Sequence, residues 1–422
     1  MQTDRRFFLR NGALAIASTS AIPSFLARAA MAEKASSVNP NRRLVVIFQR
    51  GAADGLNVVV PYREKNYYAM RPGIAIADNQ VLDLDGFFGL HPALSAFKPL
   101  YDQGHLAVVH ASGSPDTTRS HFDAQDFMES GTPGVKSTED GWLNRALQAE
   151  DRRRRRQSTA FRALALGSEL PRTLAGKIPA IALSSLNSFA VGGHGADPSP
   201  AAVAFESIYG QSGDRVFHAA GEETFAAVKM LREADPAQYQ PSPGADYPNT
   251  EFGNRMKQIA QLLKANLGVE TAFTDLGGWD THQNQGGVNG QLADRLRDFS
   301  TSIAAFWSDL GDAAEDLALV TMSEFGRTAR ENGTGGTDHG HANAMFVLGG
   351  RVKGGKVYGK WPGLADEQLN EGRDLAVTTD FRQVLGEVAS QSLSAANLDY
   401  VFPGAKLSAD RFLGVFRGTV AG

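Results

Sequence analysis

The 422-residue chain has no cysteine. Disulfides, zinc–thiolate sites, iron–sulfur clusters and thiol nucleophiles are therefore excluded, and the fold must hold by packing alone. No long apolar run is present either. The mildly apolar stretch from Gly12 to Leu26 is too short and too weak to span a bilayer of about 30 Å, so no stable membrane span is expected. An excess of one charge is also missing. The formal net charge of −4 gives no basic face of the kind nucleic-acid binding needs. The one concentrated basic run, Arg152 to Arg156, reads as a solvated surface segment, with an anionic polymer or lipid headgroup as its alternative partner. Gly51-Ala52-Ala53-Asp54-Gly55 lacks the spacing of a dinucleotide-binding fingerprint, which argues against a redox enzyme.

At the N-terminus, Asp4-Arg5-Arg6-Phe7-Phe8-Leu9-Arg10 has the pattern of a twin-arginine export signal. The apolar stretch follows it, and Ala27-Arg28-Ala29 and Ala30-Met31-Ala32 offer small residues for cleavage. Residues 1–32 are expected to be this signal. The twin-arginine translocase would then be the partner during export, and the mature protein would work in the periplasm or otherwise outside the cytoplasm. Roughly 390 residues remain, enough for one large domain, and 42% apolar residues suffice for a sizeable core. The 45 glycines suggest long functional loops on a rigid scaffold.

Continuous β-rich runs alternate with helical spacing. Arg43 to Phe48, Leu106 to His110, Phe161 to Leu166, Pro179 to Leu183, Val269 to Thr274, Leu317 to Met322 and Ala344 to Leu348 read as buried strands. Residues 91–101, 289–309 and 381–393 read as helices, as does most of 201–268, where Pro236, Pro241, Pro243 and Pro248 mark a loop. Gly354 to Gly363 reads as a hairpin. Such alternation predicts an α/β fold with a mostly parallel sheet, and no internal repeat is present.

The acids and histidines gather where strands end. Asp54, Asp280, His282, Glu324, Asp338, His339 and His341 follow strand-like runs or lie in Gly-rich loops. In an open α/β sheet those loops collect at the carboxyl edge, so distant segments deliver ligands to one place. Imidazoles and carboxylates without thiolates suit zinc, manganese or a similar divalent ion, with calcium as a further possibility. Asp280-Thr281-His282 alone is a weak signal, since a short Asp-x-His often only hydrogen-bonds around a turn. Asp338-His339-Gly340-His341 is stronger, with three potential ligands flanked by glycine. Glu324 has an alternative as a local ion pair with Arg327. Ser120 reads as a helix N-cap and also as a candidate nucleophile, with free N–H groups and the helix dipole at hand. His110 and His121 flank the same loops and read as outer-shell groups. His194 sits in a Gly-rich loop and reads as a bystander.

Taken in order, several segments resemble an exported bacterial family catalogued as domain of unknown function 1501. They are Phe48 to Asn57, Arg119-Ser120-His121-Phe122, Gly278 to His282, Ser323 to Thr328, Gly336 to Gly340 and Thr379 to Arg382. That family is similar to the alkaline phosphatase superfamily, which includes sulfatases. The resemblance implies a three-layer sandwich of alkaline-phosphatase type spanning 33–422, with a largely helical insertion around 200–268. It also implies a metal-dependent hydrolase of phosphate or sulfate esters. Ser120 would be the nucleophile, and Arg327 or Arg119 would clamp a small anionic ester or an envelope polymer. Asp280, His282 and His339 or His341 would hold one ion, and Asp54, Glu324 and Asp338 a second. Phe325 stands where the superfamily has a histidine. The alternative is a non-catalytic binding or assembly protein of the cell envelope on the same scaffold.

Overall fold

In the computed structural model, residues 13–15, 42–150, 161–186 and 238–418 are described. The signal expected over 1–32 lies almost wholly outside them, as do Arg152 to Arg156, His194 and most of the expected helical insertion.

One sheet organises these residues. Its main strands are β1 (Arg43–Gln49), β2 (Leu106–Gly113), β3 (Ala163–Leu166), β4 (Ala180–Leu183), β5 (Thr271–Leu276), β6 (Leu317–Met322), β7 (Asn343–Gly349) and β8 (Lys356–Tyr358). The order across the sheet is β4-β3-β5-β1-β6-β7-β2-β8. Ala13–Ala15 pairs outside β4, and Thr379–Asp380 pairs with β2. Every pairing is parallel except the two made by β7, which runs antiparallel to β6 and β2. The mostly parallel α/β sheet read from the sequence is therefore observed. Gly354 to Gly363 is not a hairpin: Lys356–Tyr358 pairs in parallel with β2, whose edge was open to it.

Alternation along β1 explains the layers. Val45 and Ile47 join one buried cluster, Leu44, Val46 and Phe48 another on the opposite face. The first cluster is covered by helices α3 (Glu251–Lys264) and α4 (Gln291–Leu310). On α4, Leu292, Leu296, Phe299, Ile303 and Phe306 are fully buried, a spacing of three to four that fits one helical stripe. The second cluster is covered by α2 (Trp142–Gln148) and α5 (Phe381–Leu393). With both faces covered, the strands need no polar face, and β1, β2, β6 and β7 are buried throughout.

His110 on β2 belongs to this interior. It is buried, stacks on Phe88 at 4.9 Å and meets the edge of Trp361 at 5.0 Å. One ring nitrogen faces the Val59 carbonyl and the other accepts the Ala111 amide. Burial pushes its pKa down from 6.5 to about 4. The unfolded chain therefore binds a proton that the folded chain refuses. The contribution is full above about pH 6.5 and is lost as pH falls towards 4, on the order of 3 kcal/mol for this group. Urea midpoints are expected to drop between pH 7 and pH 4.5, and His110→Gln should flatten that slope.

Candidate metal centre

All the parallel strands end at one rim. Because β7 runs the other way, the chain entering it at Asn343 arrives at that same rim. The loops after β1, β5 and β6 and the segment before β7 thus converge, and α1 (His121–Ser130) starts beside them. Close backbone contacts fix their relative positions. Gly51 adopts φ +117°, and a Cβ there would lie 2.8 Å from the Asp280 nitrogen. Residues 326–328 pair with 338–341: Gly326 N donates to His341 O at 2.8 Å, Gly340 N to Gly326 O at 2.8 Å, and Thr328 N to Asp338 O at 2.9 Å. A Cβ on Gly340 would stand 2.3 Å from the Arg327 backbone, so only glycine lets this ribbon close.

Three imidazoles and one carboxylate meet there. His339 Nε2 lies 3.0 Å from His121 Nε2 and 3.0 Å from His282 Nε2. Asp280 Oδ1 lies 3.3 Å from His339 Nε2 and 3.0 Å from His282 Nε2, and its Oδ2 lies 3.6 Å from His121 Nε2. His121, Asp280 and His339 offer ligand atoms all within 4.8 Å of one another.

The far side of each ring decides what these contacts mean. His339 Nδ1 is 2.9 Å from the Arg119 carbonyl, which only accepts, so Nδ1 carries the proton. His121 Nδ1 faces the Glu324 carboxylate at 2.8 Å, and His282 Nδ1 faces that of Asp338 at 3.0 Å. A neutral ring with its proton on Nδ1 presents a bare lone pair at Nε2. Such lone pairs and an anionic oxygen, 3.0–3.6 Å from their nearest neighbours around His339 and Asp280, repel one another unless a cation or shared protons lie between them. Ligand atoms on a tetrahedral zinc with bonds of 2.0–2.1 Å are spaced about 3.3 Å apart. The donor set therefore fits a divalent ion. Carboxylate or carbonyl partners behind each ligating histidine are the usual outer support of such a site.

The electrostatics are consistent with this division. Burial works against ionisation of Glu324, yet hydrogen bonds from His121, Gln125 at 2.9 Å and the Gly51 amide at 2.8 Å hold it below the usual carboxylate range. The Glu324 hydrogen bond in turn raises the pKa of His121. Burial, followed by the neighbouring His121 and Arg327, depresses that of His339 despite the bond from Nδ1. Burial raises and the Arg327 bond more than offsets the pKa of Asp280, which ends lowered, and the His282 bond lowers that of Asp338.

Several expectations need correction. Asp54 does not face the cluster: both its oxygens are taken by the Arg71 guanidinium, at 2.6 and 2.9 Å, and Gln285 donates to it at 2.6 Å. Glu324 and Asp338 hold histidines in place, and so do not form a second site with Asp54. His341 is turned away, its Nε2 on the Ser114 carbonyl at 2.9 Å. Arg327 is fully buried and spends its donors on the carbonyls of Gly51, Ala52, Trp279 and Thr337 and on Asp280 at 2.5 Å. It positions Asp280 and has no fork left for an anion. Arg119 is committed to Asp374 at 2.6 Å and Glu371 at 2.7 Å. Ser120 caps α1, its hydroxyl accepting the Asp123 amide at a long 3.5 Å. His121 was read from the sequence only as an outer-shell group. Its signal was its place directly after the cap of a helix starting at the rim.

Residues 105–397 match the family model described as a protein of unknown function, DUF1501. The chain belongs to this family. The matched span of this DUF1501 protein contains all four inward-facing groups and their supports, whereas Asp54 and Arg71 lie before it. Among solved structures, the C-terminal periplasmic domain of EcEptC from Escherichia coli, in complex with Zn, is similar over 74% of each chain, at 11% identity and a TM-score of 0.34. No curated protein matches the chain.

Proposed function

We propose that this DUF1501 protein is an exported, metal-dependent hydrolase of phosphate or sulfate esters on an alkaline-phosphatase-like scaffold, working with one divalent ion. The observation that carries the reading is the set of three imidazoles, each with Nδ1 tied to an acceptor and Nε2 turned towards the Asp280 carboxylate. His121, His339 and Asp280, with His282 beside them, would hold the ion. Nitrogen-rich donors favour zinc over manganese and calcium, which prefer oxygen ligands. The ion would supply Lewis acidity at an ester oxygen. Arg327 holds Asp280 in place, and Glu324 and Asp338 fix the ring orientations. Export is supported by the Arg5-Arg6 pattern, and no helix among the described residues is long and apolar enough to cross a membrane.

Ser120 lies between Arg119, whose carbonyl orients His339, and His121 itself. Its cap bond is at the outer limit of a hydrogen bond, so the hydroxyl is free to act. In the proposed reaction Oγ bonds to phosphorus or sulfur as the bond to the leaving oxygen breaks. The serine proton passes to solvent and the leaving oxygen takes one from it. Water then cleaves the seryl ester and restores the hydroxyl. On a panel of chromogenic phosphate and sulfate esters with added zinc or manganese, turnover is expected. Ser120→Ala should lose nearly all of it while costing only about 1 kcal/mol of stability as a lost cap. Unchanged turnover in that variant would reject the nucleophile assignment.

A second reading, a non-catalytic envelope binding protein, is favoured by one observation: Arg327 and Arg119, the two guanidiniums expected to clamp an anion, are already paired. Silence across the ester panel together with tight metal binding would select it.

A further inference from the structure

Phe122 is 89% exposed, the most exposed large apolar side chain among the described residues, and Val135 follows at 45%. Folding does not account for Phe122. A wetted ring buries nothing, and the first turn of a helix favours acidic side chains such as its neighbour Asp123. Single exposed apolar residues are ordinary. What sets this one apart is its place: it is the second residue of α1, directly after His121 of the metal centre and two after Ser120.

Val135 is brought to the same lip. Thr132-Pro133-Gly134-Val135 forms a turn, closed by Val135 N donating to Thr132 O at 3.1 Å. Proline second and glycine third, the glycine at φ +76°, are the signature of a rigid type II turn. Lys136 then pairs with Asp123 at 2.6 Å and ties this turn to the first turn of α1. Phe122 and Val135 each directly precede one partner of that pair. A Cβ on Gly134 would lie 3.3 Å from Asp116 Oδ2, so the turn also abuts the loop that leads to Ser120.

The inner side of the centre is apolar too. Phe325 is buried, clusters with Ala52 and Ala124, and sets its ring centroid 5.0 Å from those of both His121 and His339. An anionic head at the centre thus has an apolar floor behind it and an exposed aromatic beside it.

We propose that Phe122, with Val135 beside it, is a specificity-determining residue that holds the apolar chain of an amphiphilic ester whose anionic head lies at the metal centre. The ester rests on the hydrolase reading; the contact with the chain is read by binding alone. Each CH2 group fully removed from water is worth about fourfold in affinity. One open-sided ring covers only part of a chain, so four further CH2 groups should together gain about tenfold.

The test is calorimetric titration of the zinc-loaded full chain with butyl phosphate and octyl phosphate, the latter kept below its micelle concentration. Octyl phosphate should bind the parent about tenfold tighter or better. Phe122→Ser should cut that ratio to about threefold or less, and Phe122→Leu should keep most of it. Zinc affinity and melting temperature in Phe122→Ser are expected at the parent's values, because an exposed ring supports nothing else. Val135→Ser, the check should that variant fold poorly, should lower the ratio by a smaller factor. An unchanged ratio in Phe122→Ser, or a parent that binds neither phosphate or both equally, overturns the proposal. An unchanged ratio with lost binding to phosphatidylglycerol vesicles makes Phe122 a membrane contact and overturns it equally. Turnover on the ester panel separates the two readings. A ratio that Phe122→Ser abolishes, with no ester turned over, supports the contact and rejects the hydrolase; turnover without dependence on chain length does the reverse.

Discussion

His339→Ala is expected to weaken zinc binding by at least about 100-fold, more than the 10–100-fold typical of losing an outer support. The ranking follows from geometry. His339 Nε2 is the hub of the cluster, within 3.0–3.3 Å of His121, His282 and Asp280. Removing it leaves the remaining donors without the atom that spaces them. Glu324→Gln should cost about 10–100-fold, because the amide still fills the space yet no longer offers His121 a charged acceptor. Asp338→Asn should cost less than Glu324→Gln, since Asp338 is half exposed and solvent can take over from it, whereas Glu324 is buried. Competition with a chromophoric chelator measures all three. Absorption of the cobalt-loaded protein reports whether coordination, and not only affinity, has changed. Wild-type zinc affinity in His339→Ala would mean that the ion sits elsewhere.

Much of the sheet could be read beforehand because both its faces are covered. A strand buried on two sides must be apolar at every position, so β1, β2 and β6 stand out as unbroken runs. The convergence of Asp280, His282 and His339 was legible for a related reason: residues that end parallel strands share a rim. The individual roles were not legible, since they depend on which neighbour reaches a side chain first. Asp54 looks like a ligand until Arg71, seventeen positions on, folds back and takes both oxygens. Arg327 looks like an anion clamp until its burial against four carbonyls is known. His121 looked secondary because capping explains Ser120 and says nothing about the next side chain. The short strand Lys356–Tyr358 was misread because an alternating Gly-rich stretch fits a hairpin as well as an edge strand, and only the open side of β2 decides between them.

Arg71→Met is expected to cost about 3–5 kcal/mol of folding stability, the usual loss when one partner of a buried ion pair is removed. Arg71 and Asp54 are buried essentially completely. Arg71 also donates to Asn57 at 2.8 Å and to the carbonyls of Ala329 at 2.9 Å and Thr328 at 2.8 Å, so methionine would strand these two carbonyls besides the carboxylate, while Asn57 keeps the Tyr67 hydroxyl. The network reaches further through Gln285, which donates to Asp54 and whose oxygen accepts from Thr281 and Thr337, each at 2.8 Å. Thr281 sits between Asp280 and His282, so the pair also braces the loop that carries two of the inward-facing groups. Zinc affinity should therefore fall in Arg71→Met, but by much less than in His339→Ala. Adding Asp54→Asn to Arg71→Met removes the uncompensated charge and should recover part of the lost stability, giving a double-mutant cycle with a clear coupling energy. Urea unfolding of the four proteins measures it. If the two single losses simply add, the carboxylate and the guanidinium do not hold each other, and the bracing of this rim must come from the surrounding amides and carbonyls instead.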